Sequence, residues 1–328
     1  MGISKSAVFV AGAVAAALIF TGCSADTSTT EAGGGSSDKP YIALISKGFQ
    51  HEFWQAVKKG AEQKAKELDV TITFEGPASE TEIDTQLQML QAAIDKKPAA
   101  IGFAPLDPVA CVPLYEAAEA AGIPIVQFDA GCDSDYALNT AKTDSLAAGA
   151  LAADKMAELI GEKGEVGIVG HTQINSTGVD RRDGFVNQMK SAYPDITIVD
   201  IQYGDGDHLK SADITKAMIA AHPNLAGLYG TNEGAAVGMV NALSELGLKP
   251  GQITAVGFDS GQAQIDAINS GLMAGAITQN PIGIGESLVQ AAVDAINGKT
   301  LEKTTDTGFF WFDKTNMDDP EIAQVLYK

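Results

Sequence analysis

Two aspartates end β-branched runs in matching contexts and could accept hydrogen bonds in a single site. The run IPIVQFDAG carries Asp129, and about 130 residues later ITAVGFDSG carries Asp259, each within Phe-Asp-x-Gly. In open α/β sheets, ligands bind beyond the carboxyl ends of the strands. The pair therefore predicts a cleft with one carboxylate on each side, in preference to the alternative that each aspartate only caps the following helix.

Aromatic side chains are concentrated just after the first apolar run. The stretch SKGFQHEFWQ places Phe49, His51, Phe53 and Trp54 within six positions. Adjacent residues cannot share one face of a helix or a strand. Phe53 can begin the buried stripe of a helix, but the same explanation does not extend to Trp54, so the stretch indicates aromatic surface that serves a purpose other than core packing.

Alternating strands and helices must position these residues. Runs such as YIALIS precede helical patterns such as FWQAVKKGAEQKAKEL, in which Val57, Ala61, Ala65 and Leu68 recur at helical spacing. This alternation predicts parallel sheets with helices on both faces. The fold class is therefore α/β, and the repeated Phe-Asp-x-Gly pattern predicts two similar halves, each near the size that one core supports.

Composition and charge restrict the class of ligand. The chain has 328 residues, of which 45% are hydrophobic and 20% are charged, and this is typical of globular proteins long enough for two domains. A net charge of -20 would repel nucleic acid and anionic lipid head groups. We therefore expect no nucleic-acid partner, and the charge mainly indicates solubility.

The N-terminal segment has the pattern of an export signal. One lysine precedes an apolar stretch from Ala7 to Phe20, which is too short to span a bilayer. The following Thr-Gly-Cys resembles the lipobox of bacterial lipoproteins, although Phe20 stands where leucine is usual. We predict a lipoprotein signal peptide at 1–22, lipidation of Cys23 and a flexible tether at 23–39; ordinary secretion with an incidental cysteine is the alternative.

Cys111 and Cys132 remain once Cys23 is set aside. An even number of cysteines in an exported protein suggests a disulfide. Both follow strands that we expect to be neighbours, AAIGFAP and IPIVQFDAG, and adjacent strands are spaced closely enough for a bridge. We predict a Cys111–Cys132 disulfide, and two reduced, buried thiols are the alternative.

An ordered set of motifs resembles a known family from about residue 40 to the end of the chain. The motifs are YIALISKGFQHEFWQAVKKGAEQKA, QFDAG, RRDGF, YGTNEGAAVGMVNAL, VGFDSG and AITQNP. In this order and spacing they resemble the periplasmic sugar-binding proteins of the ribose, allose and galactose type, the solute receptors of ABC importers. The resemblance implies a monomeric receptor without a cofactor, whose partners are a sugar or polyol and a transporter permease.

The family architecture implies two doubly wound, parallel-sheet lobes joined by a three-strand hinge, with the ligand cleft between them. Carried over to this chain, the crossovers lie near Thr143, Asn280 and Asp313. The N-terminal lobe is then 40–143 plus 281–312, and the C-terminal lobe is 144–280 plus 313–328.

The resemblance also implies roles for individual polar residues. Every buried sugar hydroxyl needs a partner, and charged groups are the strongest partners. Asp129 and Asp259 would accept from hydroxyls, and Arg181 would donate to the ring oxygen and an adjacent hydroxyl. Asn232 and Gln279 occupy the family's amide positions, although Asn232 would also suit a helix N-cap.

The aromatic stretch is explained by the same resemblance. The family places an amide followed by two stacking aromatics after the first strand; here His51 takes the place of the amide, and Phe53 and Trp54 take the places of the rings. Flat rings stack on the C–H faces of sugars, and we expect Trp54 to be the main stacking ring. Lys47 completes this wall of the predicted site.

Departures from the ribose receptors argue against ribopyranose as the ligand. Ala130 stands where those receptors have an arginine, and Gly206 stands where they have an aromatic residue. Lys47 and His51 replace smaller polar residues. Another pentose, a hexose or a short polyol fits the pattern better.

Three other functions are less well supported. TFEGPASE, Lys47 and the cysteine pair resemble receptors for a furanosyl signalling molecule, but those receptors lack residues equivalent to Arg181 and Asp259. An exported sugar-processing enzyme would need a catalytic constellation, and neither a GxSxG elbow nor zinc-ligand spacing is present. A repressor's effector domain would follow a DNA-binding helix-turn-helix, whereas an export signal stands in that position. The predicted location is therefore exported, anchored by lipid on the outer face of the cytoplasmic membrane or in the periplasm.

Overall fold

The strands form two six-stranded sheets in the computed structural model, which describes residues 39–327. The predicted signal peptide, Cys23 and residues 23–38 of the predicted tether lie outside the described residues. Strands and helices are numbered along the chain. The first sheet contains Tyr41–Ile45 (β1), Thr71–Glu75 (β2), Ala100–Phe103 (β3), Ile125–Phe128 (β4), Thr140–Lys142 (β5) and Thr304–Asp306 (β11). The second contains Gly164–Gly170 (β6), Ile196–Tyr203 (β7), Leu225–Gly230 (β8), Thr254–Phe258 (β9), Gly275–Gln279 (β10) and Phe309–Asp313 (β12).

Helices follow most strands, as the alternating pattern predicts. They are Glu52–Glu67 (α1), Ile83–Asp95 (α2), Val112–Ala120 (α3), Ser145–Ile160 (α4), Ser176–Ala192 (α5), His208–Ala221 (α6), Glu233–Glu245 (α7), Gln262–Ser270 (α8), Pro281–Ile296 (α9) and Pro320–Ala323 (α10). None of the helices within residues 39–327 is long and apolar enough to cross a membrane.

Both sheets have the same strand order, which confirms the predicted α/β class with two similar halves. The spatial order is β2-β1-β3-β4-β5-β11 in the first sheet and β7-β6-β8-β9-β10-β12 in the second. Every pairing is parallel except that β12 runs antiparallel to β10. This order is that of flavodoxin-like sheets, in which a ligand site lies at the carboxyl ends beside the first strand.

The chain passes between the two sheets three times. It leaves the first sheet after β5, leaves the second after β10 and leaves the first again after β11. The last passage lies at residues 307–308, not near Asp313 as the sequence suggested. Residues 309–312, assigned by the sequence to the N-terminal lobe, instead pair with β10, because the apolar run FFWF extends the edge of the second sheet.

Separate hydrophobic clusters cover the two sheets. In the first lobe α9 packs against α1, and in the second lobe α4 packs against α5. The buried residues include Ile42, Val57 and Leu288 around the first sheet and Leu228 and Phe312 around the second. Side chains buried on both faces explain why the strands read as continuous apolar runs.

A disulfide joins Cys111 and Cys132, in agreement with the prediction. Their Cα atoms are 6.1 Å apart, and the cysteines follow β3 and β4, which are paired neighbours. The bridge connects the loops at the carboxyl ends of these strands, close to Asp129. It therefore braces the first lobe beside the predicted cleft.

We expect mass measurement after alkylation without reductant to find no labelled thiol at these two positions. Closing a loop of 21 residues should stabilise the fold by about 3 kcal/mol, so the Cys111→Ala/Cys132→Ala variant should unfold at lower denaturant concentration. The measurement uses protein in which Cys23 is removed or replaced. Two labelled cysteines in the native protein would contradict the prediction.

Candidate ligand-binding site

The carboxyl ends of the two sheets face one small cavity. Its volume is about 20 Å³, and all nine predicted ligand-binding residues line it together with Glu80, His171, Thr177 and Glu233. The predicted residues are Lys47, His51, Phe53, Trp54, Asp129, Arg181, Asn232, Asp259 and Gln279. A space of this size holds about one water molecule. The lobes are therefore closed tightly on each other, and a sugar would need the walls to separate slightly from this conformation.

The two aspartates share an unusual backbone conformation. Asp129 has φ 60° and Asp259 has φ 81°, both in the left-handed region. Their N–H groups donate to Ala141 O and Ile277 O, so each turn is bonded to the neighbouring strand. Aspartate tolerates this region better than most residues, and strained backbone concentrates at functional sites. The matched turns direct both carboxylates into the cavity.

A buried ion pair occupies the first-lobe side of the cavity. Lys47 Nζ lies 2.6 Å from Asp129 Oδ2, and both side chains are 3% exposed. The ammonium also donates across the cleft to Asn175 Oδ1 and Thr177 Oγ1, each at 3.1 Å. Asn175 in turn donates to Leu106 O in the first lobe. Lys47 is therefore a partner of Asp129 and also a bridge between the lobes.

Asp259 is held by two donors on the opposite side. Gln279 Nε2 donates to Asp259 Oδ1 at 2.7 Å, and the backbone N–H of Glu233 donates to Asp259 Oδ2 at 2.9 Å. Burial raises the pKa of Asp259, while Arg181 and Gln279 act in the opposite direction. Thr143, at the first crossover, donates to Gln279 Oε1. The amide of Gln279 thus connects the aspartate to the hinge.

Arg181 lies flat against an aromatic ring inside the cavity. Its guanidinium carbon is 3.8 Å from the centre of the Phe258 ring, and Nη1 donates to Thr231 O at 3.2 Å. Arg181 Nε is buried and has no hydrogen-bond partner within residues 39–327. The next residue, Arg182, bonds Tyr203 and Asp183 outside the cavity. Arg181 therefore keeps a donor available for a ligand.

Both rings of the aromatic stretch line the cavity and also join the core of the first lobe. Phe53 and Trp54 occupy the first turn of α1, with ring centres 4.9 Å apart in an edge-to-face arrangement. Trp54 is 1% exposed, and its Nε1–H donates to Glu80 Oε1 at 2.7 Å. The interpretation that one ring serves only the core is therefore too simple, because both rings belong to the core cluster and also line the cavity.

Histidines and Glu80 form a polar cluster at one end of the cavity. His171 Nε2 lies 2.8 Å from Glu80 Oε2, and the His51 and His208 rings stack with centres 5.4 Å apart. Burial lowers the pKa of His51 to about 4, so its ring is neutral at pH 7. Burial alone would raise the pKa of Glu80, but its hydrogen bond with His171 and the charge of Lys47 hold it well below its usual range. Glu80 is therefore a carboxylate.

Asn232 and Glu233 begin helix α7 at the cavity wall. Asn232 Oδ1 accepts from Ala235 N at 3.1 Å, so the N-cap interpretation holds for that oxygen. Its amide nitrogen remains as the group that could donate to a ligand. Burial and the nearby Asp259 raise the pKa of Glu233 to about 8, while bonds from the N–H groups of Glu52 and Phe53 lower it.

Sequence reasoning missed Glu80, His171, Thr177 and Glu233. His171 directly follows β6, so the strand-end argument used for Asp129 would have found it. Glu80 lies within TFEGPASE, in the long loop after β2, and only its contact with Trp54 shows its importance. Thr177 and Glu233 lie in the first turns of α5 and α7, where they resemble ordinary helix-starting residues.

Gly206 leaves room for the polar cluster of Glu80 and His171. It has φ 73°, and a Cβ atom there would lie 3.3 Å from His171 Nε2 and 3.4 Å from Glu80 Oε2. The Glu80–His171 pair therefore fills the space beside this glycine. Over residues 39–327, no group of histidine, cysteine, aspartate or glutamate side chains is arranged to hold a metal ion.

The chain is similar in sequence to sugar receptors. Residues 42–300 match a family model described as a periplasmic binding protein domain. The D-allose-binding periplasmic protein of Escherichia coli is 31% identical over 261 residues, covering 77% of this chain and 83% of that protein. The D-ribose/D-allose-binding protein of Pseudomonas aeruginosa is 27% identical over 300 residues, covering 89% and 93%.

Solved structures give the same relationship. An ABC transporter solute-binding protein from Agrobacterium vitis, bound with α-D-tagatopyranose, is 33% identical and superposes with a TM-score of 0.85 over 88% of this chain and 100% of that chain. A carbohydrate transporter solute-binding protein from Agrobacterium radiobacter, in complex with D-arabinose, is 31% identical with a TM-score of 0.84, covering 89% and 100%. The two-lobed architecture is that of the type I periplasmic binding proteins.

Proposed function

This chain belongs to the periplasmic binding protein family, and on that premise we propose that it captures a neutral sugar or polyol by closing its lobes and delivers it to an ABC importer. The observation that carries the proposal is the cavity between the facing strand ends, where Asp129, Asp259 and Arg181 are all buried. The family consists of solute-binding proteins rather than enzymes. We accordingly assign the chain no catalytic activity.

The lining residues match the chemistry of a polyhydroxylated ligand. Carboxylates accept from pairs of hydroxyls, and a guanidinium donates to a ring oxygen or hydroxyl, so the desolvated polar groups of a sugar find charged partners. Phe53 and Trp54 offer ring edges and faces to its C–H surface. Asn232 and Gln279 supply amides beside them. We propose all nine predicted residues as ligand contacts in the sugar-bound form.

The charge balance of the cavity supports a neutral ligand. Lys47 and Arg181 are outnumbered by the carboxylates of Asp129, Asp259 and Glu80, and the Lys47 ammonium already pairs with Asp129. A sugar phosphate or sugar acid would find no surplus of positive charge there. A neutral molecule can instead use both donors and acceptors through hydroxyl groups. The relatives named above bind neutral sugars.

The cellular setting follows from the N-terminal segment. We propose that the signal peptide is removed, that Cys23 is lipidated and that the monomeric receptor is held outside the cytoplasm by its lipid, where the permease of an ABC importer receives the ligand. Mass spectrometry of the protein extracted from membranes should find a lipidated N-terminal cysteine. An unmodified N-terminus would limit the proposal to a freely secreted receptor.

A thermal-shift screen over pentoses, hexoses, polyols and one furanosyl compound tests the proposed ligand class. A ligand that binds only the native state raises the melting temperature by mass action. We expect at least one neutral sugar or polyol to produce such a shift, and recovery of that compound intact after long incubation would support binding without turnover. A panel in which only phosphorylated sugars stabilise the protein would overturn the neutral-ligand proposal.

Trp54 should report the binding of the best hit. Ligand contact changes the surroundings of its indole, and burial of apolar area gives a negative heat-capacity change of binding. We expect the intrinsic fluorescence change to disappear in Trp54→Phe. Trp311, the only other tryptophan, lies in β12 and bonds Asp313, so Trp311→Phe is the matched control that retains the signal. A full signal in Trp54→Phe would remove the stacking role.

A further inference from the structure

Two helix N-termini that meet across the cleft are capped by glutamates from opposite lobes. Helix α1 belongs to the first lobe, and helices α7 and α8 belong to the second. The first N–H groups of any helix lack partners within the helix and need them from elsewhere. In both α1 and α8, the residue at the N-cap position gives no side-chain bond.

Glu233 supplies the missing bonds to α1. Its Oε1 accepts from the N–H of Glu52 at 2.9 Å, and its Oε2 accepts from the N–H of Phe53 at 3.1 Å. The His51 side chain at the N-cap position makes no such bond. Both Glu233 oxygens accept from N–H groups, so the capping form is the ionised carboxylate, and the positive end of the helix dipole favours that form against the effect of burial on its pKa. Glu233 is 5% exposed, so these bonds are shielded from water.

Glu52 returns the contact to the other lobe. Its Oε2 accepts from the N–H of Gln262, the first residue of α8, at 2.7 Å. The N-cap of α8 is Gly261, which has no side chain with which to cap the helix. A Cβ atom at Gly261 would lie only 2.9 Å from Glu52 Oε2 and 3.4 Å from the Glu233 carboxyl carbon. Because Gly261 has no side chain, the space beside it is open for the carboxyl groups of Glu52 and Glu233.

The caps are connected to the ligand site at both ends. The backbone N–H of Glu233 donates to Asp259 Oδ2, and the capped N–H groups belong to the turn that carries Phe53 and Trp54. A continuous chain of bonds thus runs from the second-lobe aspartate, through Glu233, to the first-lobe aromatics. The bonds from Glu233 to the N–H groups of Glu52 and Phe53 cross the cleft and need closed lobes, whereas the Glu233–Asp259 bond lies within the second lobe.

We propose that Glu233 is a positioning residue for ligand binding, capping α1 across the cleft so that Phe53 and Trp54 are held in place in the closed form, with Glu52 making the reciprocal cap on α8. The inference rests on the proposed function for its ligand, whereas the capping bonds do not depend on it. Closure thereby supplies the first N–H groups of both helices with hydrogen-bond partners. In the open form these N–H groups would bond to water instead. Loss of the caps should release the ligand faster rather than slow its entry.

Stopped-flow measurement of the rate constants with the best sugar hit tests this role. Glu233→Gln keeps one carbonyl acceptor but turns an amide N–H₂ group toward the helix. We expect its dissociation rate to rise about 5- to 30-fold, the upper part of the range for loss of a helix cap because two N–H groups are affected, with an association rate close to that of the native protein. Glu52 is exposed, so Glu52→Gln should raise dissociation only about 2-fold.

Two further variants separate capping from other effects. Gly261→Ala keeps both glutamates, but the added methyl group pushes the Glu52 carboxylate away from the N–H of Gln262. The sugar dissociation rate of this variant should therefore rise about as much as in Glu52→Gln. Glu62→Gln, on the exposed side of α1 and paired with Lys58, is the matched control and should leave both rates unchanged. If Glu233→Gln does not fold, Glu233→Asp, whose carboxylate is one methylene group shorter, tests the cap on α1 in its place.

Amide hydrogen exchange of the sugar-saturated protein, in which the lobes are closed, gives a second readout of the cap on α1. We expect the Glu52 and Phe53 amides to exchange faster in Glu233→Gln than in Glu62→Gln. Unchanged exchange together with an unchanged dissociation rate would overturn the proposal. A native protein that binds no sugar would instead overturn the proposed function, whereas normal sugar binding with unchanged rates in Glu233→Gln would overturn only the capping role.

Discussion

Replacement of Asp259 by alanine is expected to lower the affinity for the best sugar hit at least about 30-fold. Removing one partner of a buried, charge-assisted hydrogen bond costs about 2 to 5 kcal/mol, and Asp259 is buried between Gln279 and the backbone of Glu233. Asp129→Ala and Arg181→Ala should weaken binding similarly. Isothermal titration calorimetry measures the three affinities.

The control for this prediction is an aspartate on the same lobe. Asp266 lies in α8, where its exposed carboxylate accepts from Gln262. Asp266→Ala should bind sugar like the native protein, and all variants should keep the native circular dichroism spectrum. Near-native affinity in any one of the cavity variants would remove that residue from the proposed site.

Replacement of Lys47 by methionine should strongly destabilise the folded protein as well as its closed form. The substitution leaves the buried Asp129 carboxylate without its ion-pair partner, and such an uncompensated charge costs about 3 to 5 kcal/mol. Lys47 also bonds Asn175 and Thr177 in the other lobe. We expect a lower midpoint in denaturant unfolding and weaker sugar binding.

A double substitution distinguishes the ion pair from a simple packing loss. Lys47→Met/Asp129→Asn removes both charges and should recover part of the unfolding free energy lost in Lys47→Met, although sugar binding should stay weak. Lys58→Met, which breaks an exposed pair with Glu62, should cost no more than about 1 kcal/mol. A Lys47→Met protein as stable as Lys58→Met would show that the buried pair contributes little.

The residues that converge at the cavity were largely predictable because their signals are local. Strand periodicity, and an aspartate after each of two matching strands, are short-range features. Once parallel strands are inferred, their carboxyl ends must lie on one edge of the sheet. The cysteines were predictable for the same reason, since consecutive parallel strands β3 and β4 are spatial neighbours. The resemblance then added Arg181, Asn232 and Gln279.

The assignment of an edge strand was beyond the sequence. Residues 309–312 are an apolar run that could extend either sheet. Before the last two strands are added, the first sheet has an open edge at β5 and the second has an open edge at β10. Only the packed structure shows that the run pairs antiparallel with β10, after β11 has already completed the first sheet. Strand pairing is non-local, so a run's own pattern predicts that it pairs but not with which partner.

The sequence by itself determined the fold class, and it predicted the disulfide and many of the residues that line one cleft. The tertiary structure decided which of these groups are partners: Lys47 with Asp129, Trp54 with Glu80, and Glu233 with the start of α1. Glu233 and Phe53 are 180 positions apart, and no local preference specifies a bond over that distance. Such a bond exists because lobe closure buries a carboxylate and two N–H groups together, and each would be costly to bury unpaired.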